Sequence, residues 1–193
     1  MKKFILLLVV PFITFSQVGD NEKNLPFSDI SSYPTEFSQA SIVSRMIEGL
    51  GYRYYWATES LNQNDLSYKS SEDARTTLQI IEHIYSLSMM ISSSFENKEY
   101  QFLSVEDDYN TLREKTLMNL NYIHQKLQSE TDFSKLSIRF ERGGTKMEFP
   151  FWNQINGPIS DAIWHCGQVV MNRRASGNPL RKGVNVFIGK TSQ

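Results

Sequence analysis

Apolar residues recur at intervals of three and four along four stretches of the chain, the spacing that one face of an α-helix produces. These stretches predict helices over residues 35–61, 70–94, 104–129 and 157–177. Two of the predicted starts resemble a capping box, because Ser70 precedes Asp73 and Ser104 precedes Asp107 by three positions.

The region around the fourth helix combines two patterns. Pro158 suits the first turn of a helix and Gly177 suits its end. Before it, apolar and polar residues alternate over 136–141 and 145–149, on either side of Gly143-Gly144, which predicts a β-hairpin. The pattern therefore predicts an all-α fold, a four-helix bundle with one small β-hairpin between its third and fourth helices.

The first residues predict export. A basic start is followed by an apolar run too short for the ~20 residues of a membrane span, and small residues close it. We expect residues 1–16 to be a cleaved secretory signal, which leaves Gln17 as the first mature residue and the protein secreted or periplasmic, with no stable membrane anchor. A buried N-terminal strand or helix is the alternative.

Composition is consistent with one globular domain. The 193 residues are 40% hydrophobic and 21% charged, and the formal charge of -1 argues against nucleic-acid binding. We expect a loose arm over 17–34 and a single domain over 35–193, with a loop at 62–65 and an extended tail at 184–188. Cys166 is the only cysteine, which excludes an internal disulfide.

The candidate chemistry lies among the histidines. Asp161 precedes His165 by four residues, so both side chains project from one face of the fourth helix. His83, from the second helix, is a candidate third ligand, and two imidazoles with one carboxylate would leave coordination positions open. The alternatives are a surface pair or an orienting hydrogen bond for Asp161 and His165, and a hydrogen-bonded core residue for His83.

Other polar and aromatic residues have simpler interpretations. His124 is expected at a solvated rim, and Cys166 is expected to be a small core residue. The aromatic run 52–56 cannot be buried on one helical stripe, so some of its side chains are expected to line a cavity; core packing is the alternative. Arg173 and Arg174 either complement the dipole of the fourth helix or hold an anionic substrate.

Two segments resemble the DinB-like (YfiT-like) superfamily. They read LQIIEHI at 78–84 and ISDAIWHCGQVV at 159–170, and the continuation MNRRASGNP at 171–179 is also similar to that family. The resemblance spans about residues 37–179, and the order of the predicted elements agrees with it.

The resemblance implies a four-helix bundle that holds a divalent metal ion, usually nickel or zinc. The ligands it implies are His83 from the second helix and Asp161 and His165 from the fourth. Asp161 stands where the commoner family pattern has histidine, and carboxylates occur among the ligands of related thiol-dependent isomerases. The family also implies a small-molecule substrate, and its members often form homodimers.

The sequence is compatible with three functions. One is a metal-dependent hydrolase, for which Glu59 or Glu82 is a candidate general base. Another is a transferase that uses a low-molecular-weight thiol; those thiols are cytoplasmic, whereas this chain is predicted to be exported. The third is a non-catalytic bundle that binds a metal or a small molecule.

Overall fold

A computed structural model describes residues 25–102, 104–105, 107–129 and 132–192 of the chain. The predicted signal over 1–16 lies outside the described residues. Within the described part, none of the helices combines the length and the apolar character that crossing a membrane requires.

Helices dominate the described chain. The helices are α1 (Gln39–Ala57), α2 (Gln63–Ser67), α3 (Thr77–Phe95), α4 (Tyr109–Leu127), α5 (Trp152–Gln154) and α6 (Ser160–Ala175). The strands are β1 (Ser137–Arg142), β2 (Thr145–Pro150), β3 (Val184–Asn185) and β4 (Lys190–Thr191). A short 3₁₀ turn (Phe133–Lys135) precedes β1, and a π-helical turn (Ile155–Ile159) joins α5 to α6.

Four long helices surround the hydrophobic core. α3 packs against α4 and α6, and α1 packs against the same two helices. Each contributes fully buried apolar side chains to one cluster, for example Ile47, Ile84, Leu120 and Val169. The mostly helical fold with a small hairpin before α6 agrees with the hydrophobic pattern.

Two helix starts differ from the prediction. α3 begins at Thr77 with Thr76 as its N-cap, and the capping box pairs Thr76 with Gln79 instead of Ser70 with Asp73. The reason is burial: Thr77 is fully buried, whereas residues 70–73 are exposed and have no core to pack on.

The start of α4 is displaced in the same way. It begins at Tyr109, and the cap is Asp108, whose carboxylate accepts from the N–H groups of Asn110 and Thr111. The predicted cap at Ser104 is therefore wrong.

The beginning of α6 also differs from the prediction. Pro158 lies inside the π-helical turn, where Gly157 has a non-helical ψ of -113°, so the regular helix starts at Ser160. The end agrees with the prediction: Gly177 has φ +96°, and the N–H of Asn178 donates to the carbonyl of Arg173 at 2.8 Å. This is the Schellman pattern that glycine favours after a helix.

The hairpin is confirmed. β1 and β2 pair antiparallel, with Arg142 opposite Thr145 across the two-residue turn. Gly143 and Gly144 have φ of +59° and +77°, which is the left-handed backbone that a type I′ turn requires. The N–H of Tyr100, from the segment after α3, donates to the carbonyl of Arg139 and ties the hairpin to the helices.

The predicted loose arm is ordered over its described part. The N–H of Ile30 donates to the carbonyl of Gly189 at 2.8 Å, and Nε1 of Trp56 donates to the carbonyl of Ser28 at 2.9 Å. The tail is a short β3–β4 hairpin instead of one extended segment, and the Tyr52 hydroxyl donates to the carbonyl of Lys190. Both segments cover a side of α1 that a helix-only prediction leaves exposed.

The predicted loop at 62–65 contains the short helix α2. Asn62 caps it by accepting from the N–H groups of Asn64 and Asp65, and the Asp65 carboxylate accepts from the N–H of Asn62. A five-residue helix has no amphipathic repeat, so the periodicity of the sequence does not reveal it.

Candidate metal centre

The side chains of His83, Asp161 and His165 converge between α3 and α6. The Nε2 atom of His83 lies 3.2 Å from Oδ2 of Asp161, and Nε2 of His165 lies 3.4 Å from Oδ1 of the same carboxylate. One ligand atom from each of the three residues lies within 4.8 Å of the others. This group can hold a metal ion.

The helix geometry explains why these three residues meet. Asp161 and His165 are one turn apart on α6, and the carboxylate sits in the first turn, where the helix dipole favours a negative charge. α3 runs antiparallel to α6, because Asn172, further along α6, donates to the hydroxyl of Thr77 at the start of α3. This alignment brings the middle of α3, with His83, to the beginning of α6.

The orientation of His165 is set by a neighbour on its own helix. Its Nδ1 atom lies 2.8 Å from Oε1 of Gln168. Because a carbonyl oxygen can only accept, Nδ1 carries a proton, and in the neutral imidazole the lone pair is on Nε2. That lone pair faces a carboxylate oxygen of Asp161, an orientation in which both atoms could bind one cation.

The environment of His83 favours the neutral imidazole that metals bind. Burial lowers the pKa of His83 below its usual value, and electrostatic interactions with His165 and Arg75 act in the same direction. The hydrogen bond that His83 donates to Asp161 and the negative charge of that carboxylate oppose this shift. A neutral His83 has a lone pair to donate, as ligation requires.

The site is reachable from water. The exposed fractions of the side chains are 30% for His83, 34% for Asp161 and 10% for His165. An ion held by these three side chains would therefore be accessible to a small molecule, as is typical of catalytic and not of structural zinc sites.

A groove of about 660 Å³ is lined by His165 and by other residues of α6. Its walls include Trp164, Gln168 and Met171 from α6 and Arg75 from the segment before α3. The Trp164 and His165 rings are nearly parallel, with 18° between their planes and 6.3 Å between their centroids.

Two of these residues were missed by the sequence analysis. Gln168 follows His165 by three positions on one helix, so its role as an orienting partner was accessible from spacing. Arg75 precedes α3 and belongs to no helical stripe, so no local pattern connects it to the site.

The other candidate residues lie elsewhere. Glu59 and Glu82 are not among the three residues whose ligand atoms converge. His124 is half-buried between α4 and α1, where its Nδ1 lies 2.8 Å from the hydroxyl of Ser44. Cys166 is buried in the core, as predicted, and burial raises the pKa of its thiol to about 12.

The aromatic run and the arginines also have structural roles. The side chains of Tyr52, Tyr54, Tyr55 and Trp56 are all buried, so the expectation that some of them line a cavity is wrong. They can all be buried because the N-terminal segment and the tail cover a second side of α1. Arg173 is buried too and bonds the end of α1, which removes it as a substrate ligand.

Searches of protein-family models, of curated proteins and of solved structures found no match to this chain.

Proposed function

We propose that this chain is an exported, DinB-like four-helix-bundle hydrolase whose nickel or zinc ion is held by His83, Asp161 and His165. The observation that carries the proposal is the convergence of the three ligand atoms, with the Nε2 lone pair of His165 turned toward the carboxylate of Asp161. The resemblance of residues 78–84 and 159–179 to the family supports the same ligand set.

The donor set suits this class of metal. Imidazole nitrogens favour zinc, nickel and copper over magnesium or calcium, and one carboxylate offsets half of the charge of a divalent ion. Such an ion supplies Lewis-acid chemistry, because it polarises a substrate carbonyl and lowers the pKa of water.

The residues of the chain then have distinct tasks. His83 and His165 donate neutral nitrogen lone pairs, and Asp161 supplies the negative charge. Gln168 holds the His165 ring so that Nε2 faces the site, a supporting contact of the kind that tunes metal affinity. The groove beside His165 offers a place for the rest of the substrate.

Predicted export favours hydrolysis over thiol transfer. Hydrolysis needs only water, which is present outside the cytoplasm, whereas the low-molecular-weight thiols used by related transferases are cytoplasmic. Expression in a bacterial host with a mass measurement of the exported protein tests this step; a chain that begins at Gln17 supports it, and an uncleaved cytoplasmic chain contradicts it.

Metal content tests the ligand assignment. Purified protein, stripped with a chelator and dialysed against zinc or nickel, is expected to retain about one ion per chain. The variant H165A should retain much less, because it removes one of three ligands. The matched control H124A removes a histidine outside the group and should retain the ion like the unchanged protein.

Hydrolysis itself needs a separate measurement. The zinc- and nickel-loaded protein is expected to cleave members of a panel of chromogenic ester and amide substrates, and D161N should lose this activity together with the metal. Stoichiometric metal without cleavage of any substrate would favour the non-catalytic metal-binding bundle. Cleavage that survives both the chelator and D161N would remove the metal from the mechanism.

A further inference from the structure

The groove beside His165 has an uneven distribution of charge. Among its lining residues in the described part of the chain, Arg75 is the one with a permanent charge. Its guanidinium is exposed and has neither a hydrogen bond nor an ion pair to any described residue. An uncompensated cation therefore stands beside the candidate metal centre.

Two large exposed apolar side chains also line the groove. The side chains of Trp164 and Met171 are 70% and 62% exposed, and they lie two turns apart on one face of α6. Between them is Gly167, where an added Cβ would meet no heavy atom within 4 Å, so the space above the helix is open. Exposed large side chains around such a space provide a surface for a planar or aliphatic body.

We propose that this groove binds a small organic carboxylate, with the carboxylate on Arg75 and the apolar body along Trp164. A guanidinium pairs with a carboxylate through two parallel hydrogen bonds. One fixed positive charge balances a carboxylate, whereas a dianionic phosphate monoester would retain excess charge. That the bound molecule is a substrate rests on the proposed function, because His165 lines the groove. The binding itself does not rest on it.

The test uses a matched pair of probes on the full protein stripped of metal with a chelator. The probes are 3-phenylpropionate and its neutral isostere 3-phenylpropionamide, and binding is followed by NMR chemical shifts and by titration calorimetry at millimolar concentrations. We expect the carboxylate to bind about tenfold more tightly than the amide. We expect R75Q to abolish this preference.

Two further variants separate the groove from general charge effects. R174Q removes an exposed arginine that does not line the groove and should bind both probes like the unchanged protein. G167E places a carboxylate in the open space, where it should weaken binding of 3-phenylpropionate at least as much as R75Q does. Because the added Cβ meets nothing within 4 Å, folding of this variant is expected to be intact, which circular dichroism checks.

Several results would overturn the inference: no binding of either probe, equal binding of carboxylate and amide, or an R75Q variant that keeps the preference. Binding that requires added zinc and disappears in D161N would also overturn the inference, because the carboxylate of the probe would then ligate the ion. That result would still support the proposed metal site. Conversely, Arg75-dependent binding in a protein that retains no metal would preserve this inference while the proposed function fails.

Discussion

Arg173 holds two distant parts of the chain together. Its side chain is 2% exposed, and one terminal nitrogen donates to the carbonyls of Trp56 and Ala57 at 3.0 and 3.1 Å. The Nε atom donates to the carbonyl of Asn178 at 2.8 Å. A buried cation is thus satisfied by the C-terminal carbonyls of α1, where the helix dipole is negative, and by the turn after α6.

Replacing this residue should destabilise the protein strongly. R173M leaves the buried carbonyls of α1 without donors, so we expect the free energy of unfolding in urea to fall by about 3–5 kcal/mol. The exposed neighbour supplies the control: R174M should change it by no more than about 0.5 kcal/mol. Equal effects of the two substitutions would mean that the α1 contacts contribute little.

Cys166 makes stability depend on pH in the alkaline range. The folded thiol keeps its proton up to a pKa of about 12, whereas the ordinary value is 9.0. Above pH ~9 the unfolded chain loses this proton and the folded chain does not, so unfolding becomes more favourable as pH rises toward 12. The contribution is at most about 1.4 kcal/mol per pH unit.

The variant C166A isolates this effect. Between pH 7 and 8 its unfolding free energy should differ from that of the unchanged protein by a constant amount. Above pH ~9 the unfolding free energy of the unchanged protein should fall relative to that of the variant. Burial also raises the pKa of Tyr54, and this largest cause is common to both proteins, whereas the smaller contribution of Cys166 to the Tyr54 pKa is lost in the variant. Parallel curves up to pH ~10 would contradict the prediction.

At the scale of elements, substitution of two glycines of the α6 region by alanine is expected to have opposite effects on stability, because their backbone conformations differ. Gly177 has φ +96°, which an L side chain rarely adopts, so G177A should lower the unfolding free energy by about 1 kcal/mol. Gly167 lies in the exposed helix interior with free space around it, so G167A should raise the unfolding free energy by about 0.5–1 kcal/mol.

Urea unfolding of both variants against the unchanged protein measures these changes. Each serves as the control for the other, because the same methyl group is added. A stabilising G177A would show that the turn after α6 relaxes to a negative φ, and a destabilising G167A would show that the helix surface is less open than the structure has it.

The elements also show where sequence patterns are reliable. The hairpin was predicted to within a residue or two, because its alternation and its Gly143-Gly144 turn act locally. The starts of α3 and α4 were misplaced, because the serine and aspartate spacing of a capping box recurs by chance. The burial of Thr77 explains why α3 is capped by Thr76 and not by Ser70, and burial depends on tertiary packing.

At the scale of the whole molecule, a bound ion would join α3 to α6. Candidate ligand atoms from both helices lie within 4.8 Å of one another, so an ion that binds only the folded chain should stabilise it. At a free zinc concentration about 100 times the dissociation constant, the gain is about 2.7 kcal/mol.

Thermal melting with and without zinc measures this gain. The unchanged protein is expected to melt several degrees higher with zinc and to return to its original midpoint after a chelator is added. The variant D161N keeps the size of the side chain but loses its charge, and its melting temperature should barely respond. An equal upward shift in both proteins would place the stabilising ion elsewhere.

The sequence by itself determined the features that depend on neighbouring residues. The four amphipathic stretches, the hairpin and the pairing of Asp161 with His165 on one helix face all follow from the periods of 3.6 and 2 residues. The glycine end of α6 belongs to the same class, because its conformation is set by the backbone of a single residue.

Tertiary structure alone decided which distant residues meet. His83 reaches Asp161 only because α3 and α6 run antiparallel at a particular rotation, and Arg75 reaches the groove only because of how α3 begins. Arg173 lies in the last turn of its own helix, as predicted, but its bonds to the end of α1 could not be foreseen for the same reason. Periodicity shows which face of a helix is buried, but the partner that covers the face depends on packing among all the helices at once.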